Sequence, residues 1–202
     1  MNYKVIIFDL GNVLVNFSHE KMFDQVALLT GIPPERVYEI LFKERSGHQY
    51  EKGLISTEEI YQLIQKQTTT TFEMKELVEA ASTIFSPKEE MELLVKKLKD
   101  KGYRLILLSN TFEPHFNYIA ENYSFLPLFD HLILSYELGY AKPEKKIYEE
   151  AIKQAECLSS ECFFIDDRLE NIRAAEVLGI KGHHFRTHTL LMDDLIHRGI
   201  LS

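Results

Sequence analysis

The sequence predicts an α/β protein, with a parallel sheet covered on both faces by helices and a helical bundle inserted after the first strand. Three observations carry this expectation. From residue 86 onward, short apolar runs alternate with helical patterns. The run Val5-Ile6-Ile7 matches those strands in composition but stands far upstream of them. Between the two lie residues 16–85, with helical periodicity and no strand pattern. Strands that are apolar throughout belong to a sheet buried on both faces.

Taken in order, the first strand at Val5 ends in Asp9, followed by a Gly11-Asn12 turn. Ser18 caps a helix running to about Thr30, with Gly31 as its C-terminal stop. Pro33-Pro34 opens a second helix through "ERVYEILFKER". Ser56-Thr57-Glu58-Glu59 has capping-box spacing for a third, with Ile60, Leu63 and Ile64 on one face. Thr70 and Glu73 repeat that spacing before a fourth, "MKELVEAAST". Ser86-Pro87-Lys88-Glu89 starts a helix through Lys101, with Pro at the first helical position. Strands then follow at 103–109, 131–137, 162–166 and 182–185, and helices near 113–122, 144–156, 169–178 and 189–197. The expected organisation is an α/β core from 1–15 and 86–202, interrupted by a helical segment over 16–85.

Composition narrows the function classes. The chain has 202 residues, 45% hydrophobic and 27% charged, with a net charge of −8. That balance argues against a nucleic-acid or membrane-surface binder, since either favours clustered Lys and Arg. No apolar run is long enough for a signal-peptide core or a membrane helix. Cys157 and Cys162, five apart, read as free thiols in a reducing compartment. A cytoplasmic monomer or homodimer is expected.

In open parallel sheets, ligands bind at the carboxyl ends of the strands near a topological switch point. Four polar groups stand there: Asp9, then Ser109-Asn110-Thr111, then Lys142 before Pro143, then Asp166-Asp167. Singly, each has an ordinary reading as a helix cap, a solvated loop residue or a partner of a helix dipole. Together they bring three carboxylates, an ammonium, a hydroxyl and helix N-terminal amides to one sheet edge. Three clustered carboxylates repel one another unless a cation is bound, and all-oxygen ligation suits Mg²⁺. Lys142, Ser109 and the Asn110 amide suit an anionic group with several oxygens. This is the equipment for phosphoryl transfer through an aspartyl-phosphate.

The motifs "FDLGNV", "LLSNT", the Lys of "AKPE" and "FFIDDRLENI", in that order around a helical insertion, resemble the haloacid dehalogenase-like (HAD) superfamily. The likeness covers nearly the whole chain. The "FDLGNVL" form, with "ERSGHQYEKGLIS" in the insertion, looks most like the branch containing bacterial α-D-glucose-1-phosphate phosphatases. The resemblance implies a Rossmann-like core with a helical cap and a Mg²⁺-dependent hydrolase of small phosphate monoesters, a sugar phosphate foremost. It implies Asp9 as nucleophile and Ser109, Asn110 and Lys142 as phosphate ligands. Asp9, the Gly11 carbonyl and Asp167 would bind metal, Asp166 would assist directly or through water, and Asn171 would orient the acidic pair.

Gly11 departs from the family pattern. Most phosphatases of the superfamily carry there a second Asp, which protonates the leaving group and later activates water. Gly11 can offer a carbonyl to metal but no proton, and a missing general acid/base costs ~10²–10⁴-fold in rate. Another side chain serves, or the substrate leaves without help, or the site is inactive. His115, about one turn after Ser109-Asn110-Thr111, is a candidate substitute, set against the plainer reading that it merely contacts substrate or solvent. Arg45, His48 and Tyr50 of the cap could also reach the site. His183, His184 and His188 lack a completing ligand set for a second metal. Two alternatives remain: carbon–halogen hydrolysis, which needs no acidic pair, and a non-catalytic phosphate-binding regulatory protein.

Overall fold

A computed structural model describes residues 2–202, with the Arg45 side chain outside the described residues. The N-terminal part runs β1 (Val5–Phe8), β2 (Val15–Phe17), α1 (His19–Thr30), α2 (Pro34–Tyr38), α3 (Arg45–Glu51), α4 (Thr57–Gln65) and α5 (Met74–Ser82). It continues through β3 (Phe85–Pro87), α6 (Glu89–Asp100), β4 (Arg104–Ser109), α7 (Glu113–Asn122), β5 (His131–Leu134) and α8 (Ser135–Leu138). The last part is α9 (Lys145–Ala155), β6 (Cys162–Asp166), α10 (Leu169–Val177), β7 (Lys181–His184) and α11 (His188–His197).

The main sheet has the order β5-β4-β1-β6-β7, with every neighbouring pair parallel. Side chains alternate across it with the two-residue period of a strand. Ile6, Phe8, Leu105, Leu107, Phe163 and Ile165 enter one core with α6 and α11. Val5, Ile7, Ile106, Leu108, Cys162 and Phe164 enter the other with α9 and α10. Each such side chain contributes about 1.5–3 kcal/mol on burial, which is why these strands read as unbroken apolar runs. From β1 the chain moves outward through β4 and β5, then returns to β6 beside β1 and moves out the other way. The switch point therefore lies at the carboxyl ends of β1 and β6.

Residues 19–82 form a separate helical layer whose core includes Met22, Val26, Val37, Ile40, Ile60 and Ile64, closed by Phe112 from the start of α7. The segment 16–85 was expected to hold four helices and no strand. Instead the chain leaves and re-enters the core on an antiparallel pair, β2 and β3, with Phe17 opposite Phe85, and the expected boundaries fall inside it. Ser86 and Pro87 belong to this pair, so the next helix starts at Glu89. Three-residue strands give no periodic signal, and Pro87 fits an edge.

The single helix expected over "ERVYEILFKER" is also broken. α2 passes into a π-helical turn, Glu39–Lys43, closed by Glu44 N–H donating to Glu39 O at 2.9 Å. Glu44 is extended, with ψ 155, and α3 starts afresh at Arg45. Likewise the strand expected over 131–137 stops at Leu134, because α8 follows and ends at left-handed Gly139. Elsewhere the capping reading holds, with Ser56 and Glu59 bonding reciprocally. The box before α5 sits three residues later than expected, where Glu73 N–H donates to Glu76 Oε2 at 2.7 Å.

The end of α3 is docked on the core. Ser135 Oγ lies 2.6 Å from the Glu51 carbonyl, and Lys52 pairs with Glu144 at 2.7 Å. The start of α3 is tight for another reason: a Cβ at Gly47 would lie 1.8 Å from the Leu41 carbonyl oxygen. We expect Gly47→Ala to destabilise the protein by about 1–3 kcal/mol through forced backbone shifts. Urea denaturation followed by circular dichroism would read this, and an unchanged midpoint would show that the π-helical turn yields without cost.

Candidate active site

Sheet register brings the acids together. Phe8 pairs with Ile165, and Asp9 N–H donates to Ile165 O at 2.9 Å, so Asp9 and Asp166 leave adjacent strands side by side. Lys142 Nζ stands between them, 2.7 Å from Asp9 Oδ1 and 2.7 Å from Asp166 Oδ2. Asn110 sets the lysine in place. Its Oδ1 accepts from Lys142 N at 2.7 Å, and its Nδ2 donates to the Lys142 carbonyl at 2.9 Å. The Asn110 side chain is thus committed to backbone, and its own amide is the group left to meet an anion.

Asp166 is fully buried, and both its oxygens are engaged. Arg168 N donates to Oδ1 at 2.8 Å, while Asn171 Nδ2 lies 3.0 and 3.1 Å from the two oxygens. Asn171 in turn is held through its carbonyl by Tyr148 OH at 3.0 Å. This arrangement fits Asp166 as an orienting group for Lys142 better than as a direct metal ligand. Asp167 instead faces the cavity, where Asn12 Nδ2 donates to its Oδ2 at 3.1 Å. Asn12 takes a left-handed conformation, φ 57, which Asn tolerates well, and so turns its amide toward Asp167.

Asp9, Asp166 and Asp167 can each offer a carboxylate oxygen, all within 4.8 Å of one another. Burial pushes the Asp9 carboxyl up to about 7; Lys142 opposes this and Asp166 and Asp167 add to it. Burial alone would lower Lys142, but Asp9 and Asp166 outweigh it and hold the ammonium above its ordinary value. Three carboxylates against one ammonium leave negative charge uncompensated in a mostly buried site. The donor set therefore fits a hard divalent cation such as Mg²⁺, which Asp9 and Asp167 could hold, with the Gly11 carbonyl as a further oxygen beside them.

Asp9, Lys142 and Asp167 line a cavity of about 440 Å³, together with Gly11, Ser109 and Asn110. Its walls are largely aromatic, from Phe17, Phe42, Phe85 and Phe112, with His19, His48 and Glu51 as polar groups from the helical layer. His48 reaches the cavity from an exposed position. The Arg45 side chain lies outside the described residues. Tyr50 turns away: its ring stacks on Phe112 at 4.7 Å and its hydroxyl lies 3.0 Å from Thr57 Oγ1. His183 is 2.8 Å from Asp194 and His184 Nε2 is 3.0 Å from the Asp167 carbonyl, so they support the fold around the site.

His115 is the clearest correction. It borders the cavity, but its Nε2 lies 3.1 Å from the Ala81 carbonyl, and the ring packs between Phe85 and Phe112. Burial lowers it to about 4, with the Ala81 bond opposing and His19 adding. A neutral, committed imidazole is no proton donor near neutrality. Gly11 has a structural counterpart that the sequence did not reveal. A Cβ there would lie 2.6 Å from Phe17 Cε1, so the Phe17 ring stands where an acid side chain would start. Phe17 and Glu51 were both missed; Glu51 could have been found three residues after His48, on the same face of α3.

If the acids form a cation site, millimolar Mg²⁺ should raise the melting temperature, as any ligand of the native state does. Saturation at 100 times Kd corresponds to about 2.7 kcal/mol. Differential scanning fluorimetry with and without EDTA would test this, and a shift equally large in Asp167→Asn would place the ion elsewhere.

A haloacid dehalogenase-like hydrolase family profile matches residues 3–179. The sesquiterpene phosphatase of Aspergillus oryzae is 27% identical over 183 residues, covering 90% of this chain and 89% of its own. The D-ribitol-5-phosphate phosphatase of Bacteroides thetaiotaomicron is 26% identical over 186 residues, 88% and 89% of the two chains. Among solved structures, a HAD family enzyme from Bacteroides thetaiotaomicron, in complex with magnesium and inorganic phosphate, superposes with a TM-score of 0.82. It is 27% identical and covers 94% of this chain and 99% of its own. With a family match across most of its length, the chain belongs to the haloacid dehalogenase-like hydrolases.

Proposed function

We propose that this protein is a Mg²⁺-dependent phosphatase that hydrolyses a small phosphate monoester through an aspartyl-phosphate on Asp9. The observation that carries the reading is Asp9 itself. Leu10 N–H donates to its Oδ1 at 2.7 Å and Lys142 holds the same oxygen, which leaves Oδ2 for the incoming group. Asp9 attacks phosphorus as the bond to the leaving oxygen breaks, and water then releases phosphate from the acyl phosphate. In this reading Lys142, Ser109 and the Asn110 amide hold the phosphoryl oxygens. Bound Mg²⁺ would supply charge neutralisation at the carboxylates and the phosphoryl group. The helical layer acts as a cap that closes over the site and excludes water.

A sugar phosphate is the first substrate class, in keeping with the ribitol-phosphate relative and with polar groups at His48 and Glu51. The aromatic wall of Phe17, Phe42 and Phe85 favours a second class, phosphate esters of apolar alcohols, as the sesquiterpene relative suggests. Carbon–halogen hydrolysis is disfavoured because it has no use for a cation site, and so none for Asp167 beside Asp9.

Phosphate release should be measured over a panel of sugar, nucleotide and isoprenoid phosphates. EDTA should abolish release, and Asp9→Asn should reduce it by ~10³-fold or more. A wild-type protein inert across the panel, or one indifferent to EDTA, would overturn the proposal.

A further inference from the structure

The missing proton donor at position 11 leaves a chemical demand that the cavity must meet if the protein is a phosphatase, and the choice of a replacement donor rests on that reading. Among the described residues that line the cavity, few outside the cluster of Asp9, Lys142 and Asp167 could carry that proton. Phe17 fills the space beside Gly11, and His115 is committed to Ala81. His19 sits among aromatic rings, 4.8 Å from Phe17 and 4.6 Å from Phe42, and burial lowers its pKa. His48 is exposed. Glu51 remains.

We propose that Glu51 is the general acid and base of this site, serving from the cap in place of the absent side chain at Gly11. Four observations converge on it. Its side chain lines the same cavity as Asp9, Lys142 and Asp167. It lies within electrostatic reach of Lys142 and Arg168, which border the phosphoryl end. Its carboxyl group makes no hydrogen bond or ion pair with any described side chain, although the residue is largely withdrawn from solvent. Its backbone is pinned to the core by Ser135, while Lys52 and Gly53 fix the following turn against Glu144 and Tyr136. A carboxyl group on a docked helix end, without a hydrogen-bond or ion-pair partner among the described side chains and in the lining of the cavity that holds Asp9, is suited to positioned proton transfer.

Burial raises the Glu51 carboxyl above its usual range, with His48, Lys142, Arg168 and Lys52 opposing. Part of the population is then protonated nearer neutrality than an ordinary glutamate would be. As Asp9 attacks, the bond from phosphorus to the leaving oxygen breaks and its electron pair stays on that oxygen. The Glu51 proton passes to it and yields the alcohol. The resulting carboxylate then takes a proton from water as the water oxygen attacks phosphorus. Breaking of the bond between phosphorus and Asp9 frees phosphate and restores both carboxyl groups.

The test uses the full-length protein with Mg²⁺ and two probes, p-nitrophenyl phosphate and phenyl phosphate, followed by rapid quench. Glu51→Gln should release about one p-nitrophenol per site in a burst, because that leaving group departs without help. Its steady rate should then fall ~10²-fold or more below wild type. With phenyl phosphate it should be slow from the first turnover and show no burst. Glu51→Asp, which keeps a carboxyl group, should recover most of the steady rate and lose the burst. A Glu51→Gln enzyme within about threefold of wild type overturns the assignment. So does equal loss on both probes without a burst, or a Glu51→Asp enzyme as slow as Glu51→Gln. A burst that appears in His48→Asn instead moves the role to His48. Wild-type protein that cleaves neither probe nor the metabolite panel sinks the phosphatase reading as well, which separates the two failures.

Discussion

The rest of the site depends on a buried lysine shared by two carboxylates. Parallel pairing of β1 with β6 forces Asp9 and Asp166 to emerge next to each other, where burial makes their charges costly. Lys142 at 2.7 Å from both lowers that cost. Breaking such a pair by removing one partner typically costs about 3–5 kcal/mol, because it strands a buried charge. The lysine in turn needs its backbone held, which Asn110 does through two hydrogen bonds, and Asp166 needs Asn171 and the Arg168 amide. Four segments distant in sequence are thereby locked to one point, and the charge left over is negative. That remainder is the physical reason the site calls for a cation.

The core and this cluster were legible in the sequence because both follow from strand register. An unbroken apolar run marks a strand buried on two faces, and the residue that ends it is placed at the sheet edge whatever the loops do. Asp9, Ser109 and Asp166 follow directly from the ends of "VIIF", "RLILLS" and "CFFID". The helical layer was legible only as helices. Its hinge strands, β2 and β3, have three residues each and no period to detect. The break between α2 and α3 comes from the π-helical turn and the close approach of Gly47 to Leu41, which are tertiary effects invisible to helical periodicity.

His115 shows the limit of arguing from distance along a chain. One helical turn beyond Ser109-Asn110-Thr111 is near enough to suggest a catalytic base, and the residue does border the cavity. What decides its chemistry is the partner of Nε2, a carbonyl on α5 some thirty residues upstream in the chain. Spacing predicts where a side chain begins, whereas the proton it can carry depends on what the folded protein packs around it. Glu51 makes the same point in reverse, since its neighbours in sequence are ordinary cap residues and its setting is not.

Gly11 and Phe17 join these threads. A glycine two residues after Asp9 first looks like the loss of a function, yet the space beside it is filled by the Phe17 ring of strand β2. Phe17 also touches His19 and Phe85, so the same ring belongs to the aromatic wall and to the connection between core and cap. An acid restored at position 11 would collide with that ring unless the wall itself moved. The glycine at position 11 and the apolar character of the cavity are therefore one structural choice. A site built this way sets its carboxylates and lysine at the edge of the sheet and its aromatic wall, with His48 and Glu51, largely on the helical layer and the strands that lead to it. Apolar contacts discriminate weakly, about 1–3 kcal/mol per methylene, whereas buried polar groups discriminate strongly. The few polar groups that the helical layer brings to the cavity thus weigh more, contact for contact, than its aromatic wall.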